Sequence, residues 1–172
     1  MTKRNILITG PPRSGKSTVI EKIVDRLQRP ATGFFTREIR QKGRRVGFSI
    51  RTLDGREGIL AHENIRGKFR VGRYGLNTKD IEGIAVPSMI TAQKDEIVVI
   101  DEIGKMECFS RLFREALIKA LDSSNRTIGS IALKGDPFIE RIKQRQDVLL
   151  LEITVQNRDI LVEQLMDSLK TN

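Results

Sequence analysis

Tryptophan is absent from this chain of 172 residues, and tyrosine, histidine and cysteine each occur once. The lone cysteine, Cys108, excludes an intramolecular disulfide and fits a reducing compartment, so a cytoplasmic setting is expected. One histidine and one cysteine give no zinc signature. No apolar run is long enough to cross a bilayer and nothing resembles a signal peptide, so no membrane partner is expected. The net charge is +9, which suits a polyanion. With so few aromatics, no stacking surface interleaved with basic residues is visible, and the basic residues read as spread along the chain. Nucleic acid is compatible with the charge but is not the expected ligand; a free nucleoside triphosphate accounts for it equally.

What is present describes a folded domain. Hydrophobic residues make up 38% and charged residues 31%, enough apolar material for a core beneath an ionic surface. The length fits a single domain over 1–172, with a monomer as the simplest assembly. No internal repeat or low-complexity segment is visible.

The most informative stretch is Asn5-Ile-Leu-Ile-Thr9 followed by Gly10-Pro11-Pro12-Arg13-Ser14-Gly15-Lys16-Ser17-Thr18. A short buried strand enters a glycine-rich turn, and a helical apolar pattern of Val19, Ile20, Ile23, Val24 and Leu27 leaves it. This is the arrangement of a phosphate-binding loop. Gly10 and Gly15 let backbone amides close around phosphates, and the free N–H groups of the helix start face the same way. Lys16 is placed to reach the β- and γ-phosphates, and Ser17 to ligate Mg²⁺. Pro11, Pro12, Arg13, Ser14 and Thr18 complete the nucleotide-binding loop. Thr18 reads as a packing or outer residue, and Arg13 points either to phosphate or to solvent. A plain Gly/Pro turn would leave Lys16 and Ser17 unexplained.

Beyond Pro30, which ends the helix, the pattern becomes strand-like over 32–39 and 46–53, with a turn at 41–44 between them. Asp54-Gly55 signals a hairpin, with a return strand over 57–61. One further strand is read over 69–77. A short helical turn is expected over 80–85, and a second helix from Pro87 through Met89, Ile90 and Ala92. Residues 96–102, Glu-Ile-Val-Val-Ile-Asp-Glu, read as a central parallel strand covered on both faces. Ser110 caps a helix carrying Leu112, Phe113, Ala116, Leu117 and Leu121. Strands over 126–133 and 148–155 flank a helix over 137–146. A terminal helix from Asn157 places Ile160, Leu161, Leu165 and Leu169 on one face. The fold class is therefore α/β with a mostly parallel central sheet and an antiparallel hairpin added after the first helix.

Ligands collect at the carboxyl ends of parallel strands, which brings Asp101 and Glu102 toward the loop. Asp101 is the natural partner for Mg²⁺. Glu102, one position on, is suited to accept a proton from water attacking the γ-phosphorus. A bland alternative leaves Glu102 merely ionised at a strand end. Glu107 is a weaker acidic candidate. Lys105, Lys134, Arg141 and Arg145 are candidates to stabilise the transferred phosphoryl group, or simply a solvated basic surface. Asn157 and Arg158 stand where a terminal loop could approach a base, and His62 reads as structural.

These motifs together resemble the thermophilic-type nucleoside-triphosphatase family, whose vertebrate member is the cancer-related nucleoside-triphosphatase. The resemblance rests on the loop 10–18, Thr32-Gly-Phe-Phe-Thr-Arg-Glu-Ile39, Val71-Gly-Arg-Tyr-Gly75 and above all Val99-Ile-Asp-Glu-Ile-Gly-Lys-Met-Glu107. It implies a single-domain P-loop fold of RecA/KaiC-like type. It also implies slow, Mg²⁺-dependent hydrolysis of ATP, GTP and other nucleoside triphosphates, with broad base tolerance. By position it gives Lys16 and Ser17 the phosphate and metal roles, Asp101 a metal role and Glu102 the activation of water. A P-loop kinase for a small nucleoside, nucleotide or vitamin-like acceptor is the first competing reading. A nucleotide-gated RNA- or protein-binding module is the second.

Overall fold

Ile6, Leu7 and Ile8 form an unbroken apolar run because their strand, β1 (Asn5–Thr9), is buried along its whole length. Alternate side chains leave a strand on opposite faces. Leu7 joins a hydrophobic cluster on one side of the sheet, and Ile6 and Ile8 join a second cluster on the other. The computed structural model describes residues 3–170. Positions 1, 2, 171 and 172 of the expected domain lie outside the described residues.

The chain continues as α1 (Lys16–Arg26), β2 (Ala31–Gln41), β3 (Arg44–Thr52), β4 (Glu57–His62), β5 (Arg70–Val71) and β6 (Tyr74–Leu76). A winding segment follows, made of α2 (Thr78–Asp80), a π-helical turn (Ile81–Ala85) and α3 (Val86–Ser88). Next come β7 (Ile97–Ile103), a 3₁₀ turn (Glu107–Phe109), α4 (Arg111–Asp122) and β8 (Thr127–Ile131). The chain finishes with α5 (Pro137–Lys143), β9 (Val148–Glu152) and α6 (Arg158–Lys170). No helix among the described residues is long and apolar enough to cross a membrane.

Among the described residues nine strands lie in one sheet, in the order β5-β6-β4-β3-β2-β7-β8-β1-β9. From β2 to β9 the neighbours run parallel, whereas from β2 outward to β5 every pairing is antiparallel. The sheet is therefore evenly mixed, which corrects the expectation of a mostly parallel one. The reason is the size of the antiparallel extension. Residues 44–76 add four strands where the sequence suggested about three, because Gly72 and Arg73 turn the expected single strand over 69–77 into the two-stranded β5–β6 ribbon.

Packing follows from the alternation. One face carries α1 and α6, through Val19, Ile20 and Ile23 against Leu161, Val162, Leu165, Met166 and Leu169. The other carries α4, α5 and the winding segment. Phe34 and Phe113, both fully buried, meet there edge-on with ring centroids 6.0 Å apart. This geometry aligns the ring quadrupoles favourably. Buried Asn5 fastens the start of β1. Its amide donates to Leu121 O at 3.0 Å and Asp147 Oδ2 at 3.1 Å, and its oxygen accepts from Thr127 N at 3.1 Å.

Three local expectations change. Pro87 does not open a helix through Ala92; it sits in the last short turn of a winding that ends at Ser88, and Ala92 N donates to Glu96 Oε2 in the loop beyond. Ile160 lies on the outer side of α6, 58% exposed, and Leu112 on the outer side of α4, 48% exposed, while Leu161, Leu165 and Leu169 of α6 and Phe113, Leu117 and Leu121 of α4 are buried. Ser110 caps α4 as read, its hydroxyl accepting from Phe113 N at 3.2 Å.

Candidate active site

The loop between β1 and α1 is shaped by close packing behind it. A Cβ at Gly10 would stand 2.6 Å from Ile153 Cγ2, so only glycine lets the chain pass β9's end at this distance. Gly15 occupies the left-handed region at φ 98° as the N-cap of α1, and no side chain caps that helix. The first amides of α1 are thus free to meet an anion, as helix N-termini do. Pro11 and Pro12 have no N–H to offer, so after Gly10 the next backbone donor is Arg13.

Lys16 is almost fully buried and folds back over its own loop. Its Nζ donates to Gly10 O at 2.9 Å and Pro11 O at 3.1 Å, and stands 4.0 Å from Glu102 Oε2. Pro12, Arg13, Gly15, Lys16, Ser17 and Thr18 all border one cleft of about 580 Å³. That volume is in the range of small-molecule sites. Arg13 and Thr18 are exposed at its mouth.

Asp101 and Glu102 both reach this cleft from β7. Adjacent residues of a regular strand point to opposite faces. Here Ile100 pairs with Gly129 and Ile103 with Ile131, so β7 carries one residue more than β8 across the interval. Bulges of this kind re-aim side chains. The Asp101–Glu102 peptide bond is cis. Asp101 is buried, and its Oδ1 accepts from the Ser130 hydroxyl. Burial raises the Asp101 carboxyl above its ordinary value, while the hydroxyls of Ser130 and Ser17, then Arg37 and Lys16, favour the charged form. Burial likewise raises Glu102, opposed by Lys16 and reinforced by Asp101.

A third carboxylate lies deeper. Glu107 is 4% exposed and borders the same cleft. A Cβ at Gly104 would fall 2.8 Å from Glu107 Oε2 and 2.9 Å from Glu102 Oε1, so the two carboxyl groups converge on the space that glycine leaves. Burial first, then the charge of Glu102, pushes Glu107 up to about 8. The group is therefore mostly protonated at neutral pH.

The far wall comes from the antiparallel extension: Thr36, Arg37 and Glu38 of β2, Arg45 and Phe48 of β3, Leu60 of β4 and Val71 of β5. Arg37 also pairs with Glu21 of α1. The Arg45 guanidinium donates to Tyr74 Oη at 3.0 Å and Glu38 Oε1 at 2.9 Å, and stacks 5.1 Å from the Phe48 ring centre. Of the four cations expected near phosphate, only Lys105 borders the cleft. Lys134 and Arg141 are exposed elsewhere, and Arg145 is held by Asp122 and Asp147. Arg37 and Arg45 were missed. Their Thr36-Arg-Glu38 and Arg44-Arg45 settings carry no local signal, and only strand pairing turns them inward.

Asn157 is committed to its turn, donating to Glu152 O at 2.9 Å and accepting from Thr154 N at 2.7 Å. Arg158 lies behind the loop, since a Cβ at Gly15 would be 3.8 Å from Arg158 Cδ. The His62 ring accepts from Asn64 N at 3.1 Å in a tight turn. Cys108 is buried core filler.

Buried oxygens around the loop suit a hard cation and phosphate. Asp101 Oδ2, Ser14 Oγ and Thr9 Oγ1 are buried without a hydrogen-bond partner among the described residues. Asp101 and Ser17 border the same cleft, and their oxygens are of the kind that hard divalent cations take.

An uncapped helix start behind a glycine loop, facing carboxylates at the end of a neighbouring parallel strand, defines a phosphate-loop α/β protein. Comparison with known proteins narrows the class. The family described as NTPase matches residues 5–166, and the chain belongs to that family. A protein of Thermotoga sp. (strain RQ2) named nucleoside-triphosphatase THEP1 is 47% identical over 168 residues, covering 97% of this chain and 96% of its own. The human cancer-related nucleoside-triphosphatase is 36% identical, covering 98% of both chains. Among solved structures, THEP1 from Aquifex aeolicus superposes with a TM-score of 0.88 at 34% identity, over 96% of this chain and 99% of that one.

Proposed function

We propose that this chain is a magnesium-dependent nucleoside-triphosphatase that hydrolyses ATP, GTP and other nucleoside triphosphates to the nucleoside diphosphate and orthophosphate. The observation that carries the reading is the approach of Lys16 Nζ to Glu102 Oε2, 4.0 Å apart at the mouth of the loop. A phosphate-binding cation and a carboxylate able to accept a proton thus stand on either side of one small volume. The names of the relatives, nucleoside-triphosphatases in bacteria and man, support the same reading.

The residues divide the work as follows. Backbone amides from Arg13 to Ser17 hold the phosphates, and Lys16 transfers from the carbonyls of Gly10 and Pro11 to the β- and γ-oxygens. Ser17 and Asp101 would hold magnesium, which would supply charge neutralisation for the phosphates. Glu102 orients a water for in-line attack and accepts its proton, and Lys16 favours its charged form against the opposing effect of burial. Arg37 approaches from the far wall to meet the charge that develops on the phosphoryl oxygens. Broad base tolerance is what the family resemblance implies, and Asn157, held in its own turn, is in keeping with it. The reading extends to a RecA/KaiC-like winding with an antiparallel insertion after α1, to one working domain over 1–172, and to a monomer acting in the cytoplasm.

The cleft continues past Glu102 to Phe48, Leu60 and Val71, which favours a kinase as the second reading. A water-sized nucleophile leaves this apolar end empty, whereas a small hydroxyl-bearing acceptor fills it. One experiment separates them: phosphate release from ATP and GTP with magnesium, with and without a panel of nucleosides, nucleotides and vitamins. Equal amounts of nucleoside diphosphate and orthophosphate without acceptor are expected. Diphosphate that forms only when an acceptor becomes phosphorylated would overturn the hydrolase reading.

A further inference from the structure

The positive charge is not spread along the chain, as it reads in the sequence. Residues 37–73 hold eleven of the 31 lysines and arginines and four of the 22 acidic residues, so they carry +7 of the net +9. The antiparallel extension is therefore the basic part of the molecule. Its outermost segment is more extreme. Between Asn64 and Lys79 there is no carboxylate, while Arg66, Lys68, Arg70, Arg73 and Lys79 supply five cations.

The fold gathers four of these at the free edge of the sheet, around β5 and the loop before it. Among the described residues none of the four has an ion-pair partner within 4.0 Å. Arg70 and Arg73 use guanidinium donors to brace the edge, on Ile65 O at 3.1 Å and Arg45 O at 2.6 Å, and keep their charge. Beside them stand two exposed aromatic rings that come from distant parts of the chain. Phe69 and Phe109 are 41% and 42% exposed, with centroids 5.1 Å apart, and Lys68 Nζ lies 5.9 Å over the Phe69 ring. Val71 and Glu107, two residues from these rings, border the nucleotide cleft. The basic edge thus leads directly to the cleft wall.

We propose that this edge binds single-stranded nucleic acid, with phosphates on Arg66, Lys68 and their neighbours and an unpaired base stacked on the Phe69–Phe109 pair. Cations that follow a backbone, beside aromatic faces open to bases, are the working parts of single-strand sites. A duplex hides its base faces and leaves exposed rings without a role. An acidic peptide would meet the charge but not the rings. The inference goes beyond triphosphate hydrolysis and does not depend on it.

The test is fluorescence anisotropy of a labelled 12-nucleotide oligouridylate with the full chain. Saturable binding is expected, weakening roughly tenfold between about 50 and 200 mM salt as a few phosphate contacts are screened. Arg66→Glu/Lys68→Glu should weaken it at least about tenfold, and Phe69→Ala about five- to a hundredfold, the range for losing one stacked base. Lys94→Glu/Lys119→Glu, with the same charge change elsewhere, should leave binding within about threefold. The variants' basal phosphate release reports folding and tests the hydrolase reading separately. The proposal is overturned by no binding, by an equal loss in the Lys94/Lys119 control, by Phe69→Ala binding as the wild type, or by equally tight binding of a duplex or an oligoglutamate.

Discussion

Lys16 and Glu102 face each other at 4.0 Å, the lysine nearly buried and the glutamate about one-third exposed. Each limits what the other does. The lysine opposes the rise that burial imposes on the glutamate, and the glutamate gives the lysine a partner before phosphate arrives. Glu102→Gln should therefore retain nucleotide affinity, while turnover falls by about 10²-fold or more, as when a positioned base is removed. Nucleotide titration and phosphate release read the two effects separately. Unchanged turnover would remove Glu102 from the role of base.

Arg37 stands on the opposite wall and acts on Asp101 across the cleft. If it meets charge that develops only during transfer, Arg37→Met should lower kcat by about 10²-fold and leave KM nearly unchanged. Lys134→Met, outside the cleft, is the control and should alter neither. A rise in KM at constant kcat would make Arg37 a simple binding residue.

Glu107 gives a pH signature. Its carboxyl is raised from 4.5 to about 8 in the folded protein. Below about 4.5 both states are protonated, and its contribution is fully present. Between about 4.5 and 8 the native state keeps a proton that the unfolded chain releases, so stability falls with rising pH by up to ~1.4 kcal/mol per unit. Above about 8 the loss is complete. Urea midpoints from pH ~5 to ~8 should decline more steeply for the wild type than for Glu107→Gln. Parallel slopes would show that Glu107 does not hold its proton.

The Phe34–Phe113 contact tests the core beneath the cleft. Phe113→Ala removes a fully buried ring and should cost ~3–5 kcal/mol, measured by urea denaturation. A loss below ~1 kcal/mol would mean that α4 collapses into the space.

The loop, the parallel strands and the α4 cap were legible because their signals are local. Ile6–Ile8 and Ile97–Ile100 are apolar runs, and Ser110 precedes its helix by one residue. The half of the cleft built by Arg37, Arg45 and Phe48 was not, because it depends on which strands pair. Asp101 and Glu102 were both legible at the cleft because they end a parallel strand; what the sequence hides is the bulge that lets adjacent residues share it, since alternation predicts opposite faces. The winding over 78–88 was legible over 80–85, but Pro87 suggested a new helix start and instead falls in the last short turn, while Asp80 at the opposite end accepts from Ile59 N at 2.8 Å.

One strand belongs to both halves of the sheet. Along β2, Ala31–Phe35 pairs with β7 and Phe34–Gln41 pairs with β3, and Phe35 lies directly opposite Asp101. Neither half can separate without breaking ladders on this common member. The parallel and antiparallel parts are therefore bound into one cooperative unit. Chemical unfolding of the chain should follow a single sigmoid, with far-ultraviolet ellipticity and the signal of its lone tyrosine, Tyr74 in the extension, falling together.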